Sequence, residues 1–199
     1  MQGVRIKEYA APPVCFTEIL RYAGVRGEAP EVSEKIQALL NEVLPLLSYR
    51  VCYCVLDVRR EGELIDLGFI RLQSRTLQRA LAGCDNALLM VATVGHALDR
   101  LITRLSLTSP VSAHLADAIG TERVEALCDA FCADVAGGSV GAFVPRLRIS
   151  PGYGDLPITL QREIFATLTP TAKIGVGLTQ GLQMAPSKSV SALLGLQKR

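Results

Sequence analysis

The segment RISPGYGDLP (148–157) places an arginine and a tyrosine in a short stretch rich in proline and glycine. Pro151 fixes a backbone φ angle and Gly152 permits left-handed conformations, so this spelling predicts a stiff turn. The planar guanidinium of Arg148 suits a carboxylate, and Tyr153 adds an aromatic face. The combination suits a small zwitterionic or adenine-bearing ligand. A plain turn with a surface arginine is the alternative. A polyphosphate is not expected, because no glycine-rich loop followed by Lys and Ser/Thr occurs in the sequence.

Arg148 and Tyr153 are an odd number of positions apart, so an extended strand would direct their side chains to opposite faces. A bend at Pro151 and Gly152 would bring both side chains to one cavity. We therefore predict that 148–157 forms one wall of a concave site. The acidic face of a helix predicted over 121–136 is expected to close the opposite side, with Glu125 as the nearest carboxylate.

Six cysteines raise the question of metal or redox chemistry. Cys52 and Cys54 alternate in the apolar run VCYCVLDV, so both should face the same side of a strand. Cys128 and Cys132 lie four apart on a predicted helix. No CxxC pair occurs and no histidine has metal-ligand spacing, so buried thiols are expected and no metal. A thiol-metal, redox or corrinoid-handling role for Cys128 and Cys132 is the alternative.

The gross composition bounds the class of protein. The chain has 199 residues, 49% of them hydrophobic, which fits a packed globular protein, predicted here as a single domain over 1–199. The net charge is only +2, no Lys/Arg run occurs and tryptophan is absent, so a nucleic-acid partner is not expected. The N-terminus has no apolar signal core, and the longest apolar run, 87–94, is too short to span a bilayer. We expect a cytoplasmic protein without a membrane segment.

Periodicity and capping residues predict elements without strict alternation of helix and strand, so the expected class is α+β, a mixed, largely antiparallel sheet with helices packed against it. The segment after 137–138 is irregular and Pro-rich. In VATVGHALD (91–99) the strand–helix turn could hold an anion at a helix N-terminus, although a tight turn alone is the expected explanation. The predicted helices are 30–47, 74–83 capped by Ser74, 96–107, 111–119 stopped by Gly120, 121–136 capped by Thr121, and 159–168 capped by Thr159; the predicted strands are 49–58, 63–70, 87–94, 174–178 and 190–194, with a turn at 60–62.

The motif RxxPGY, formed by Arg148, Pro151, Gly152 and Tyr153, resembles the S-adenosylmethionine-binding loop in the activation domain of cobalamin-dependent methionine synthase. The block IGVGLTQGLQMAPSKSVSALLG (174–195) resembles the segment that follows this loop in the family. The helix TERVEALCDAFCADV resembles the family's acid-bearing helix, with Glu125 and Asp129 at the acidic positions. The resemblance covers 85–195 and does not extend to the N-terminal part of the predicted domain, 1–84. Matching residues in the block are Ile174, Gly175, Leu178, Thr179, Met184, Pro186, Ser189, Val190 and Ser191.

The resemblance implies a free-standing S-adenosylmethionine-binding module that supports reductive methylation of a separate corrinoid protein or cobalamin-dependent methyltransferase. Arg148 would hold the ligand carboxylate, and Glu125 or Asp129 would contact the ammonium group or the ribose. Tyr153 would lie near the corrin face. Cobalamin would enter only through the partner, and a flavoprotein would donate the electron. Methyl transfer needs no general base, and His96 and His114 are expected to be a helix-surface residue and a packing residue.

Departures from the family pattern motivate an alternative function. The family's Ala-Cys-Pro-Asp/Glu-His run is replaced here by Gly154-Asp155-Leu156-Pro157. The family's N-terminal acid motif and terminal aromatic residues have no clear counterpart, and the modules that bind cobalamin, folate and homocysteine have none. The alternative is a non-catalytic accessory subunit that docks on a corrinoid methyltransferase and has lost the ligand chemistry.

Overall fold

The computed structural model describes residues 3–199, within which the chain forms seven α-helices and ten β-strands. The helices are α1 (Phe16–Tyr22), α2 (Pro30–Val43), α3 (Arg75–Ala80), α4 (Ala97–Thr108), α5 (Pro110–Ala136), α6 (Gln161–Leu168) and α7 (Pro170–Ile174). The strands are β1 (Arg5–Tyr9), β2 (Tyr49–Asp57), β3 (Arg59–Glu61), β4 (Leu64–Asp66), β5 (Arg71–Gln73), β6 (Asn86–Thr93), β7 (Phe143–Ile149), β8 (Gly177–Leu178), β9 (Met184–Ala185) and β10 (Ser189–Lys198). Short 3-10 helices occupy Leu44–Leu46 and Ile158–Leu160.

Five strands form one antiparallel sheet in the order β1-β2-β6-β10-β7. Two small antiparallel sheets, β3-β4-β5 and β8-β9, lie outside it. The prediction of an α+β fold with a largely antiparallel sheet is confirmed. No helix within 3–199 is long and apolar enough to cross a membrane.

The central sheet is covered by helices on both faces. Along β2, Val51 and Tyr53 pack in the core shared with α2 and α5. Cys52 and Cys54 pack in the other core, which is shared with α3, α6 and α7. The alternation of the strand therefore places both thiols on one face, as predicted.

Helix α5 runs unbroken through Gly120, so the predicted stop there is wrong. A Cβ on Gly120 would lie 2.4 Å from Leu98 Cδ2 and 2.9 Å from Lys188 Cγ. The glycine therefore allows α4 and the Lys188 side chain to approach the helix closely. Thr121 is not an N-cap, because its hydroxyl donates to the Asp117 carbonyl one turn earlier at 3.0 Å. The unbroken helix carries Glu125 toward the end of β7.

Strand β7 lies in the segment predicted to be irregular. Its pairing with β10 shifts register: Arg148 opposes Leu194, but Pro145 opposes Leu196. Two residues of β7, Arg146 and Leu147, therefore oppose one residue of β10, which is a β-bulge. Because of the bulge, Arg148 faces α5, whereas the Arg146 stem lies near Cys84 on the opposite face, beside Gly195.

Of two further N-caps predicted from the sequence, one is confirmed and one is wrong. The hydroxyl of Ser74 accepts from the Leu77 N–H and caps α3, as predicted, although the helix ends at Ala80 and not near Gly83. Thr159 caps nothing, because it lies inside the 3-10 helix and α6 begins at Gln161 without a side-chain cap.

Three further segments differ from the prediction. Of the predicted strand 174–178 only Gly177–Leu178 is extended, because α7 ends at Ile174 and Gly175 turns the chain with a φ of +76°. The predicted strand 63–70 is extended only over β4, Leu64–Asp66, and the next strand, β5, begins at Arg71. The turn predicted at 60–62 lies later in the chain, at Gly62 with φ +62°, because β3 extends through 61. The strand β1 and the helix α1 were not predicted.

Candidate functional site

A cavity of about 530 Å³ lies between the end of β7, the loop that follows it, the start of β10 and one face of α5. This volume is in the usual range for small-molecule sites. Arg148 and Tyr153 both line it, as the bend at Pro151 and Gly152 predicts, and Glu125 lies on the wall formed by α5. The lining residues are Glu125, Arg148, Ile149, Ser150, Pro151, Tyr153, Gln161, Met184, Ser189, Val190 and Ser191.

Arg148 carries the charge in this cavity. One guanidinium nitrogen, Nη2, donates to the carboxylate of Glu125. The other, Nη1, is buried and has no hydrogen-bond partner within 3–199; the Asp129 carboxylate is 3.9 Å away. A buried charged donor without an acceptor is costly. A ligand carboxylate at Nη1 would satisfy it.

The loop after Arg148 is closed by its own backbone. The N–H of Gly152 donates to the Leu156 carbonyl at 2.8 Å, and the N–H of Leu156 donates to the Tyr153 carbonyl at 3.1 Å. Gly152 and Gly154 have φ angles of +92° and +60°, a region that glycine enters without strain. The loop therefore holds Tyr153 at the cavity rim, where 71% of this residue is exposed.

Asp155 anchors the loop to the start of α3. Its carboxylate accepts from the Ser74 hydroxyl at 2.6 Å, the Arg75 N–H at 2.6 Å and the Thr76 N–H at 3.1 Å. The hydrogen bond from Ser74, followed by those from Thr76 and Arg75, holds the pKa of Asp155 well below its usual range. Gly154 is required beside it, because a Cβ there would lie 2.3 Å from the Thr76 hydroxyl. Both residues belong to the stretch that departs from the family pattern, and no sequence motif indicates this anchoring role.

Polar side chains in the cavity wall were only partly found from sequence. Gln161 is buried, and its side-chain oxygen accepts from the Ser191 hydroxyl at 3.0 Å. Ser189 donates to the Pro186 carbonyl at 2.8 Å. Ser189 and Ser191 belong to the block singled out in the sequence, whereas Gln161 follows an unpredicted 3-10 turn and was missed.

Asp129 does not line this cavity. It lies one turn after Glu125 on α5, its side chain is 80% exposed, and it borders a neighbouring cavity of about 670 Å³. Glu125 and Arg148 line both cavities. Of the two predicted acids, the geometry therefore favours Glu125, and a ligand contact by either stays a prediction.

A buried ion pair holds the far wall of the second cavity. Arg123 is fully buried and pairs with Glu122 at 2.5 Å, while its terminal nitrogens donate to the carbonyls of Pro12 and Pro13 at 2.6 and 2.8 Å. Glu122 also accepts from the N–H of Cys15 at 3.0 Å. The network fixes the segment 12–15 against α5. Sequence analysis missed it, because nothing in Glu122-Arg123 distinguishes buried from exposed charges.

The cysteines near the site are protonated thiols. Burial raises the pKa of Cys128 to about 12 and also raises the pKa of Cys132. Within the residues that the structure describes, no group of three or more His, Cys, Asp or Glu could hold a metal ion.

The two histidines and the α4 N-terminus lie outside the cavity. His96 is exposed, as expected, with Nε2 2.8 Å from the Gly175 carbonyl. His114 is also exposed, with Nε2 3.1 Å from the Ala23 carbonyl, so its expected role in packing is wrong. At the start of α4 the Asp99 carboxylate accepts from the Ser187 N–H at 2.8 Å. The Asp99 carboxylate therefore lies at the helix N-terminus for which the sequence suggested an anion site.

Comparison with known proteins agrees with this fold. No family model matches the chain, and no curated protein sequence is significantly similar to it. The chain is similar to a solved crystal structure of the MetH reactivation domain bound to AdoHcy, with a TM-score of 0.72 and 16% sequence identity. The similarity covers 97% of this chain and 78% of that chain. The fold implied by the sequence resemblance is confirmed, and the structural similarity extends well beyond 85–195.

Proposed function

We propose that this chain binds S-adenosylmethionine and supports the reductive methylation of a separate corrinoid protein or cobalamin-dependent methyltransferase. One observation carries the proposal: Arg148, whose buried Nη1 has no hydrogen-bond partner within 3–199, lines the same cavity as Glu125 and Tyr153. The fold, shared with a domain whose structure contains AdoHcy, supports the same ligand class.

The charges of the cavity match the amino-acid end of the ligand. The carboxylate would bind Arg148 Nη1, and the ammonium group would bind Glu125, which already pairs with Nη2. A zwitterion placed there adds one opposite charge to each member of the pair and leaves the local net charge unchanged. A charge-assisted hydrogen bond contributes about 1.5–3 kcal/mol, reduced here by partial exposure.

Methyl transfer requires that the ligand be oriented and needs no proton transfer. A flavoprotein partner would supply one electron to the corrinoid, and the methyl group of S-adenosylmethionine would then pass to the reduced corrinoid. The sulfur keeps the electron pair of the broken bond, and S-adenosylhomocysteine remains. The task of this chain is to hold the sulfonium in line with the incoming nucleophile. Tyr153, on the exposed rim, would meet the corrin face of the partner.

The alternative of a docking subunit without ligand chemistry has less support. It rests on the replacement of the family's Ala-Cys-Pro run, but Gly154 and Asp155 in that place serve to anchor the loop. Arg148 keeps a buried donor without a hydrogen-bond partner in the described part of the chain, which a surface used only for docking does not need.

Isothermal titration of the purified protein with S-adenosylmethionine and S-adenosylhomocysteine tests the proposal. Both should bind, and Arg148→Ala should weaken binding at least tenfold. Arg100→Ala, an exposed arginine on α4, is the matched control and should change nothing. Absence of both binding heat and thermal stabilisation at millimolar ligand would refute the proposed function.

A further inference from the structure

Gln161 is a buried polar side chain in the wall of the ligand cavity. It begins α6, is only 5% exposed and lines the cavity together with Ser189, Val190 and Ser191 of β10. The amino-acid end of the ligand, bound by Arg148 and Glu125, gives it no role. A polar group buried in this way is costly unless both its donors and its acceptor find partners.

The hydroxyl of Ser191 fixes the orientation of the Gln161 amide. It donates to the side-chain oxygen at 3.0 Å, and Ser191 is itself only 2% exposed. Among residues 3–199 this is the one hydrogen bond of the Gln161 side chain. Because the oxygen is engaged, the amide has its two N–H donors on Nε2 left for whatever fills the cavity.

A group that offers only donors selects a partner that only accepts. In S-adenosylmethionine the carboxylate is assigned to Arg148, and the ribose hydroxyls can donate as well as accept. The ring nitrogens N1, N3 and N7 of adenine accept and do not donate. The Gln161 amide therefore matches a ring nitrogen of adenine better than any other group in the nucleoside half of the ligand.

The start of β10 adds unpaired backbone groups to the same wall. β10 begins at Ser189, but its pairing with β7 begins only at Leu193, opposite Ile149. Residues 189–192 pair with β6 on one side, and no strand within 3–199 pairs with them on the other. Alternate residues of an antiparallel strand direct their N–H and C=O groups to one side, so a short open edge borders the cavity. Adenine carries an amino group beside a ring nitrogen, and this donor–acceptor pair can bind such an edge.

We propose that Gln161 donates from Nε2 to a ring nitrogen of adenine and so selects the nucleoside end of the ligand. Ser191 is the positioning residue that keeps the amide in this orientation. This contact rests on the proposed function, because it concerns a second part of the same ligand. The burial of Gln161, its hydrogen bond with Ser191 and the open edge of β10 do not depend on that function.

The test is calorimetric titration with S-adenosylhomocysteine and with its 1-deaza, 3-deaza and 7-deaza analogues, in each of which a C–H group replaces one ring nitrogen. At least one analogue should bind the native chain about fivefold or more weakly, because Nε2 loses its acceptor. This comparison of ligands on the native chain stands even where a variant fails to fold. If all three analogues bind as tightly as S-adenosylhomocysteine, Gln161 does not bind a ring nitrogen.

The double variant Gln161→Met with Ser191→Ala assigns the lost hydrogen bond to Gln161. It replaces both partners by apolar groups, a change that leaves no buried polar group unpaired between them. S-adenosylhomocysteine should bind it about fivefold or more weakly, and the analogue that lacks the bound nitrogen should lose nothing further. Gln37→Met, at an exposed position on α2, is the matched control and should change no affinity. Additive losses from the double variant and from every weakened analogue would refute the contact.

Ser191→Ala alone tests the positioning role. The variant keeps both ends of the Gln161 amide but lets it turn over, so the affinity ratio between S-adenosylhomocysteine and the weakened analogue should fall at least twofold. An unchanged ratio would refute the positioning role of Ser191.

Methylthioadenosine, which lacks the amino-acid end, separates this contact from the proposed function. The double variant should weaken methylthioadenosine and S-adenosylhomocysteine by the same factor, whereas Arg148→Ala should weaken only S-adenosylhomocysteine. If Arg148→Ala weakens S-adenosylhomocysteine and the double variant weakens neither ligand, the role of Gln161 is refuted and the proposed function stands. If the native chain binds neither S-adenosylmethionine nor S-adenosylhomocysteine, both fall.

Discussion

Glu125 on α5 and Arg148 at the end of β7 form an ion pair that is the shared wall of two cavities. The pair joins residues 23 positions apart in the chain. It uses Nη2 of the guanidinium and leaves Nη1 buried, with no hydrogen-bond acceptor among residues 3–199. We propose that Arg148 binds the carboxylate of a zwitterionic ligand and Glu125 its ammonium group, and the two residues can be tested separately.

Glu125→Gln should weaken S-adenosylmethionine binding roughly tenfold, because it removes the charge that faces the ligand's ammonium group. Methylthioadenosine, which lacks the amino-acid end, should bind the variant and the native chain equally. Calorimetric titration of both ligands gives the comparison. Equal losses for the two ligands would mean that Glu125 supports the fold of the cavity and does not contact the ammonium group.

Asp155 makes stability depend on pH through its hydrogen bonds to Ser74, Thr76 and Arg75, which hold its pKa below the usual range. A lowered folded-state pKa favours the ionised form in the folded chain. The resulting stabilisation is complete above the unfolded pKa of about 3.9 and is lost as pH falls through the folded value.

Thermal unfolding of Asp155→Asn should therefore show a deficit at pH 7 that shrinks below about pH 4. Asp85→Asn is the matched control, since Asp85 is exposed and its carboxylate lies 3.5 Å from the ammonium group of Lys198. A deficit for Asp155→Asn that stays constant down to pH 2 would contradict the anchoring role of the ionised carboxylate.

The cysteines should divide by accessibility. Cys15 is exposed, whereas Cys128 is buried with a pKa raised to about 12. Iodoacetamide at pH 8 should modify Cys15 within minutes and leave Cys128 intact until the chain is unfolded, as peptide mass mapping can follow. Cys128→Ser with Cys132→Ser should keep ligand binding. Elemental analysis that finds about one zinc or iron per chain, lost in the double variant, would restore the thiol-metal hypothesis.

Gly120→Ala should destabilise the chain by about 1–3 kcal/mol, although alanine is the better helix former by about 1 kcal/mol. The added Cβ would meet Leu98 at 2.4 Å, in a place where packing leaves no room. Gly177→Ala, which meets nothing within 4 Å, is the control and should be nearly neutral. Chemical denaturation measures both. A stabilised Gly120→Ala variant would show that α4 can move away at little cost.

Gly120 also shows what the sequence alone could not predict. A glycine within a helical pattern is a proper stop signal by local propensity, and only the tertiary approach of Leu98 and Lys188 explains why α5 continues. The Ser74 cap and the alternation of Cys52 and Cys54 are local properties, and both were predicted correctly.

In the candidate site, too, local features could be predicted from the sequence and tertiary ones could not. Arg148 and Tyr153 could be placed on one cavity because the proline and glycine between them predict a bend. The β-bulge at Arg146 and Leu147 depends on the register with β10, which no local pattern records. The separation of Asp129 from Glu125 depends on how α5 faces β7, so the sequence could name both acids but could not choose between them.

Arg123 and Glu122 offer the most demanding test of the packing, because both are almost completely buried. Arg123→Met should cost about 3–5 kcal/mol in the free energy of unfolding, since it leaves the Glu122 carboxylate charged and unpaired. Adding Glu122→Gln should recover part of this loss, because a neutral amide removes the buried charge and can still accept from the N–H of Cys15. The carbonyls of Pro12 and Pro13 stay without donors in both variants, so recovery should be incomplete.

Denaturation of the native chain, both single variants and the double variant gives the coupling energy of the pair. Hydrogen exchange should show faster opening of the segment 12–15 in each. If the single Arg123→Met variant were as stable as the double variant, the charge of Glu122 would be reached by water, and the segment 12–15 would have to be held by its apolar contacts alone.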